Sequence, residues 1–381
     1  MRIGRYELTL EARPTRPALH TALTAFPAIL LALALSSFLF LPAETGFLSA
    51  YRAVFSYAFA NPYGLQATIH RAIFLWLCTF AFLVPMRAGL WNIGLPGQVY
   101  VGALAAFAVP YALRMSELSH PPFHPGLIIL LMVVGASLAG AALAGFAGIL
   151  RAKLHVNEIL VTMMLNSILF WLVAYMIKEG GPFMSATGEG ESFNLPPSLY
   201  APLIRGVPFT ALLALVAAGL LDFLFVKTTL GYRIRVFGLN PAAARYAGIN
   251  PVAISLLVFL LGGAFAGLAG YHYFAAVPGV YKIPGNYGFY GDLAFYGIIC
   301  GLIARGTALG AVPIALLFAG LSLGARFAQG QFHLPFGVDY ALLGLLMMTF
   351  VASHFLYQFR IVWRPVATEE VPRVSAGIPE R

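Results

Sequence analysis

The sequence predicts an all-α, polytopic membrane fold of about ten transmembrane helices, two of them short and broken, and three observations predict it. Hydrophobic residues make up 60% of the 381 and charged residues only 10%, whereas a soluble domain carries roughly 25% charge. Apolar runs recur along the chain, most of them long enough to cross a hydrocarbon layer about 30 Å thick. Basic residues collect in the polar connectors on the side of both chain ends, the positive-inside pattern that makes both termini cytoplasmic. The net charge of +9 then reflects basic residues kept on one face of a bilayer, and nucleic acid is set aside as a partner.

In order, residues 1–21 carry Arg2, Arg5, Arg13 and Arg16 and form a cytoplasmic tail. The transmembrane domain follows over 22–359. Its first run, 22–41, is too long for a cleavable signal and stays as a span. The aromatic stretch YRAVFSYAFANPYG at 51–64 predicts a short interfacial helix before the second span, 69–86. Span 99–113 is short and preceded by Gly94 and Gly97. Span 126–150 carries Ala136, Gly140, Ala144 and Gly148 at fourfold spacing, a small-residue stripe that lets helix backbones approach. Spans follow at 159–177, 207–226, 252–274, 293–304, 308–327 and 340–357, with a long outer loop at 178–206. Gly263 with Gly267, and Gly320 with Gly324, repeat the close-packing spacing. Span 293–304 is the second short one, preceded by Gly285, Gly288 and Gly291, and matches 99–113 in place within its set of five. Paired broken helices of this kind point to a translocation path. The tail 360–381 is polar and predicted to be disordered.

The most distinctive polar segment is TTLGYRIRVFGLNPAAARYAGINP, 228–251. Asn240 is a favoured N-cap, Pro241 suits the first helical position, and Gly248 stands where a helix ends. A helix of about two turns gains its order only by docking. Basic and cytoplasmic, it reads as a lever for a soluble partner.

Chemistry-bearing residues are sparse. In NIGLPGQ, Asn92 and Gln98 put two amides at the mouth of a short span, read equally as a path element or an ordinary capped loop. In VNEILVTMMLN, Glu158, Thr162 and Asn166 share one helix face; Asn157 caps the helix, Glu158 favours its positive end, and the deeper Asn166 takes an interior role. Asp292 is a carboxylate at the outer end of its span. Asp222 reads as a structural partner and Asp339 as a cap. Cys78 and Cys300 lie in apolar runs without metal spacing, and the eight histidines are scattered. No phosphate-binding G-x-x-x-x-G-K-[ST] loop, H-E-x-x-H, G-x-S-x-G or C-x-x-C occurs, so the chain is read as no enzyme.

YRAVFSYAFANPYG, MRAGLWNIGLPGQVYVGALAA, VNEILVTMMLN, VFGLNPAAARYAGIN, GAFAGLAG and FYGIICGLIARGTALG, in this order over about 51–310, resemble the bacterial ABC-importer permeases of the nucleoside, simple-sugar and branched-chain amino-acid group, the nucleoside and sugar branch above all. The resemblance implies a multi-pass permease of the bacterial inner membrane that moves a nucleoside or simple sugar. It implies a second permease or a second copy, an external solute-binding protein, and ATPase subunits that bind the ATP and magnesium this chain does not. The lever then becomes the ATPase-coupling element, with Gly238, Asn240, Ala244, Arg245, Tyr246 and Gly248. Asn92, Gln98, Thr162, Asn166 and Asp292 are the residues expected along the solute path. Pro96 and Tyr296 stand where the family commonly has acidic residues, which leaves the solute class open. The alternatives are a branched-chain amino-acid permease and an ion-gradient carrier, which needs a titratable midplane residue.

Overall fold

The computed structural model describes residues 2–3, 6–12, 30–31, 33–40, 46–115, 122–178, 180–204, 206–304 and 306–365. These divide into two compact units, 37–343 and a terminal unit built from residues up to 36 and from 344 onward.

In the terminal unit, β1 (Arg2–Ile3) pairs antiparallel with β2 (Tyr6–Ala12). The alternation Tyr-Glu-Leu-Thr-Leu-Glu is the period of a strand.

The larger unit begins with a 3-10 turn at Ser37–Phe40 and then α1 (Phe47–Phe55), continued by a π-helical turn at Ser56–Ala60. This is the short helix expected at the interface. α2 (Pro62–Arg87) starts on the Asn61 cap, whose Oδ1 accepts the N–H groups of Tyr63 and Gly64. α3 (Leu95–Ala112), α4 (Pro125–Leu154) and α5 (Glu158–Ile177) follow. The connector after α5 contains a small hairpin, β3 (Leu203–Ile204) with β4 (Val207–Pro208). Then come α6 (Thr210–Lys227), α7 (Thr229–Leu239), α8 (Pro241–Tyr246) and α9 (Pro251–Tyr271), the last extended by a π-helical turn at His272–Ala276. α10 (Gly288–Ile303) and α11 (Ala308–Gln331) follow, and α12 (Val338–Gln358) begins in this unit and belongs to the terminal unit from 344 onward.

Seven of these are long and apolar enough to cross a membrane, and α10 and the 338–349 part of α12 are shorter apolar helices. Of the first expected span, 22–41, residues 22–29, 32 and 41 lie outside the described residues. One expectation needs correction. The C-terminal tail is not wholly irregular, because β5 (Phe359–Pro365) pairs antiparallel with β2 over seven residue pairs. The β-branched Ile361 and Val362 beside Trp363 carry that strand preference, and overall polarity hid it. The rest of that tail, 366–381, lies outside the described residues.

Packing in the larger unit follows the small-residue stripes. Lipid tails are as apolar as leucine, so helices associate here through close van der Waals contact. A Cβ added at Gly140 would lie 2.3 Å from the Gly263 carbonyl oxygen, and one at Gly267 would lie 2.0 Å from that of Ala136. On another side of α9, a Cβ at Gly102 would meet Gly267 O at 2.4 Å and one at Gly270 would meet Val99 O at 2.1 Å. α9 is thus gripped backbone to backbone by α4 and α3. The pair Gly320 and Gly324 admits α1 and its π turn, with Phe59 and Val54 in the space a Cβ would fill.

α2 is apolar on every side and correspondingly the most enclosed long helix, with 89% of its apolar window buried. Arg71 lies 6% exposed on this helix. Its Nη1 donates to Ser322 Oγ at 2.8 Å and its guanidinium faces the Phe289 ring. The connectors after α5 and after α9 also bind one another: Ser192 N donates to Ile283 O, Leu195 N to Tyr281 O, and Lys282 pairs with Glu191.

Substituting Gly267→Leu forces α4 and α3 away from α9 and is expected to cost about 3 kcal/mol or more. Gly219, with nothing within 4 Å of its Cβ position, serves as the control as Gly219→Ala. Thermal stability of the detergent-solubilised chain reads both, and a Gly267→Leu chain as stable as the control refutes this packing.

Candidate functional site

The site grows from a problem of backbone chemistry. α3 begins at Leu95 after an irregular stretch, with no side-chain cap from Gly94, so its first N–H groups need partners from elsewhere. Pro96 removes one donor by having no N–H. Asn166 supplies the partner for another: its Oδ1 accepts the Gly97 N–H at 2.8 Å, and its Nδ2 donates to Ile93 O at 3.0 Å. A side chain on α5 therefore caps a helix it does not belong to.

Asn92 and Gln98 close the turn from behind. Asn92 Nδ2 donates to Gln98 Oε1 at 3.0 Å, and Gln98 Nε2 donates to Asn92 Oδ1 at 2.8 Å. Asn92 Oδ1 also accepts the Gly94 N–H. The two residues are 0% and 1% exposed. Thr162 is equally buried, and its hydroxyl bonds back to Glu158 O at 2.7 Å. These three, expected along a solute path, are buried in a protein wall and bonded to one another or to backbone. The reason is physical: two facing amides satisfy each other, and a buried amide left open is expensive. At the start of α5, Asn157 Oδ1 accepts the Ile159 N–H and Glu158 pairs with Arg151 at 2.9 Å.

In front of that wall lies a cleft of about 300 Å³ between α3, α5 and α10. The two spans read as short counterparts meet here, but only α10 is short: α3 starts at Leu95, ahead of the expected 99, and its 18 residues are enough to cross a membrane. Gly291 of α10 admits the Tyr100 side chain, whose Oη occupies the place of a Cβ, and Pro96 packs beside it. Asn166 and Asp292 both line the cleft, so the tertiary fold unites two of the five expected path residues. The lining also includes Tyr100, Phe170 and Trp171, which sequence reading left unassigned. Among packing aromatics at helical spacing nothing marked them. Tyr287 covers one side, its hydroxyl donating to Phe170 O at 2.8 Å and its ring set edge-on to Tyr100.

At the basic end, the 228–251 segment forms two helices where one was expected. Asn240 Oδ1 accepts the N–H groups of Ala242 and Ala243. Gly248 adopts φ +76°, and Gly248 N and Ile249 N return to the carbonyls of Arg245 and Ala244. Ala244 is buried, while Leu239 is 81% and Tyr246 95% exposed. Beside them a groove of about 470 Å³ runs between α8, the end of α4 and the start of α9, with Arg151, His155, Arg245 and Tyr246 on its walls.

The two regions are joined through Arg87. A Cβ at Gly238 would lie 2.7 Å from Arg87 O, so α7 rests directly on the backbone at the end of α2. The Arg87 guanidinium donates through Nε and Nη2 to Gly306 O, in the turn between α10 and α11, and lies over the Phe225 ring at 5.2 Å. Asp222 accepts the N–H groups of Ala308 and Leu309, capping α11. Arg87 lies between the basic segment and the turn that follows α10, a role invisible before those backbones are brought together.

The chain is similar in sequence to known proteins. The glucose ABC transporter permease protein TsgB13 of Haloferax volcanii is 31% identical over 371 residues, covering 93% of this chain and 93% of the relative. The guanosine ABC transporter permease protein NupP of Bacillus subtilis is 30% identical over 347 residues, 87% of this chain and 93% of the relative. The nucleoside ABC transporter permease protein NupB of Lactococcus lactis subsp. cremoris is 29% identical over 58% of this chain and 62% of the relative. The family described as branched-chain amino acid transport system, permease component, matches residues 64–351. With apolar helices long enough to cross a membrane and a match over most of its length, the chain belongs to this family of transport-system permease components.

Proposed function

We propose that the chain is the membrane-spanning subunit of an ATP-driven importer, moving a nucleoside or simple sugar handed over by an external binding protein. The observation that carries this reading is the exposed α8 surface, with Tyr246 and Leu239 bare beside a basic groove, on a segment whose other face touches the end of α2 at Gly238. An exposed tyrosine beside arginine is the composition of an interface anchor. The partner is an ATPase subunit that carries ATP and magnesium, since this chain has no phosphate-binding loop of its own. A homologous permease or second copy completes the assembly. The names of the relatives, glucose, guanosine and nucleoside permeases, support the solute class.

The importer lies in the inner membrane of the cell with ten spans, 22–41 being the first, and both termini cytoplasmic. Pairing of β2 with β5, strands from the two ends of the chain, supports that orientation. Closure of the ATPases drives α7 and α8 against the end of α2. Arg87 carries the displacement to the 304–307 turn and so to α10, while the turn after α2 carries it to α3. The cleft between those helices changes which side it opens to.

Two experiments test the reading. The full chain is expected to bring down an ATPase from native membranes, and Arg245→Glu with Gly248→Pro is expected to lose it while remaining folded. No ATPase with either chain refutes the importer. Arg87→Gln is expected to keep the ATPase bound but lower the solute moved per ATP hydrolysed about tenfold, in line with the ~1.5–3 kcal/mol of a charged hydrogen bond. Arg87→Lys retains part of the coupling. An unchanged ratio in reconstituted vesicles rules out the Arg87 connection.

A further inference from the structure

The described helices of the larger unit carry four carboxylates, and three are committed. Glu158 pairs with Arg151, Asp339 pairs with Arg326, and Asp222 caps α11. Asp292 is exposed and has no hydrogen bond or ion pair among the described residues. Its place is the cleft. A carboxylate on a membrane helix faces a wet cavity or a partner, because hydrocarbon penalises it by about 2.5 kcal/mol or more at depth.

The other cleft groups narrow the ligand. Asn166 already spends its amide on Gly97 and Ile93, so an ionised Asp292, which only accepts hydrogen bonds, is the strongest free polar group. Phe170 and Trp171 meet edge to face with ring centroids 5.5 Å apart, and Trp171 is 70% exposed. No lysine, arginine or histidine lines the cleft among the described residues, so the carboxylate of an amino acid or the charge of an anionic solute finds no counter-charge there. Resting on the importer reading, we propose that the cleft binds the vicinal-diol edge of an uncharged ring solute, with Asp292 accepting two adjacent hydroxyls and the ring lying on the Trp171 side. This chemistry is shared by the ribose of a nucleoside and by a free pyranose. It disfavours branched-chain amino acids.

The test uses the full chain in lipid nanodiscs with Ser167→Cys, an exposed position on the cleft wall. Cys78 and Cys300 are both fully buried, so maleimide labelling reports position 167. Guanosine or glucose is expected to slow labelling, whereas 2′,3′-dideoxyguanosine and leucine leave it unchanged. Protection by guanosine alone assigns the diol to a nucleoside, and protection by glucose alone to a sugar. Adding Asp292→Asn is expected to raise the half-protecting concentration about tenfold, the effect of losing a charged acceptor. Protection by none of the four, equal protection by leucine or the dideoxy analogue, or protection indifferent to Asp292→Asn overturns the proposal. If Asp292→Asn does not fold, Trp171→Ala on the other wall decides: loss of protection supports the site and unchanged protection overturns it. No ATPase is present in this assay, so the cleft proposal can fail while ATPase association stands, and the reverse.

Discussion

Everything in the larger unit depends on how backbone amides are satisfied where water is scarce. Inside a bilayer, irregular backbone persists only where protein or a wet cavity meets its polar groups. The 88–94 turn and the start of α3 are such a place. Asn166 reaches across from α5 to the Gly97 N–H and the Ile93 carbonyl, while Asn92 and Gln98 close against each other behind. Three side chains thus hold a helix start inside the bundle, and the cleft exists because that helix starts late.

Small residues provide the second layer. α9 touches α4 and α3 at backbone distance through Gly263, Gly267 and Gly270. Dense backbone contact leaves these helices little freedom to slide individually, so movement of the unit is expected at its irregular joints. Those joints are the turn after α2, the turn between α10 and α11, and the 277–287 segment. Arg87 ties two of them together through the Gly306 carbonyl. A guanidinium suits the task because its several donors in a fixed fork hold a carbonyl while its flat face rests on Phe225.

Charge is used sparingly and locally. Asp222 neutralises the positive end of α11 by accepting its first two N–H groups. Arg71 is held inside the bundle by a hydroxyl and an aromatic face. Against this background Asp292 stands apart, since its surroundings supply rings and no counter-charge.

Much of this was legible without coordinates. Hydropathy identified the long apolar helices, fourfold glycine and alanine spacing identified the close contacts, and the Asn240, Pro241 and Gly248 grammar identified α8 with its cap and left-handed end. These are local signals, written in neighbours three or four residues apart. The strand at Phe359–Pro365 escaped because its partner, Tyr6–Ala12, lies at the other end of the chain. The fate of the polar residues was undecidable on sequence for the same reason. Asn92, Gln98, Thr162, Asn166 and Asp292 are all polar residues near apolar spans, and only the tertiary structure determined that the first three face one another or their own backbone while Asp292 faces open space. A hydrogen-bonding side chain finds its role in whatever the fold brings within 3 Å of it, and no sequence spacing encodes that distance for residues on different helices.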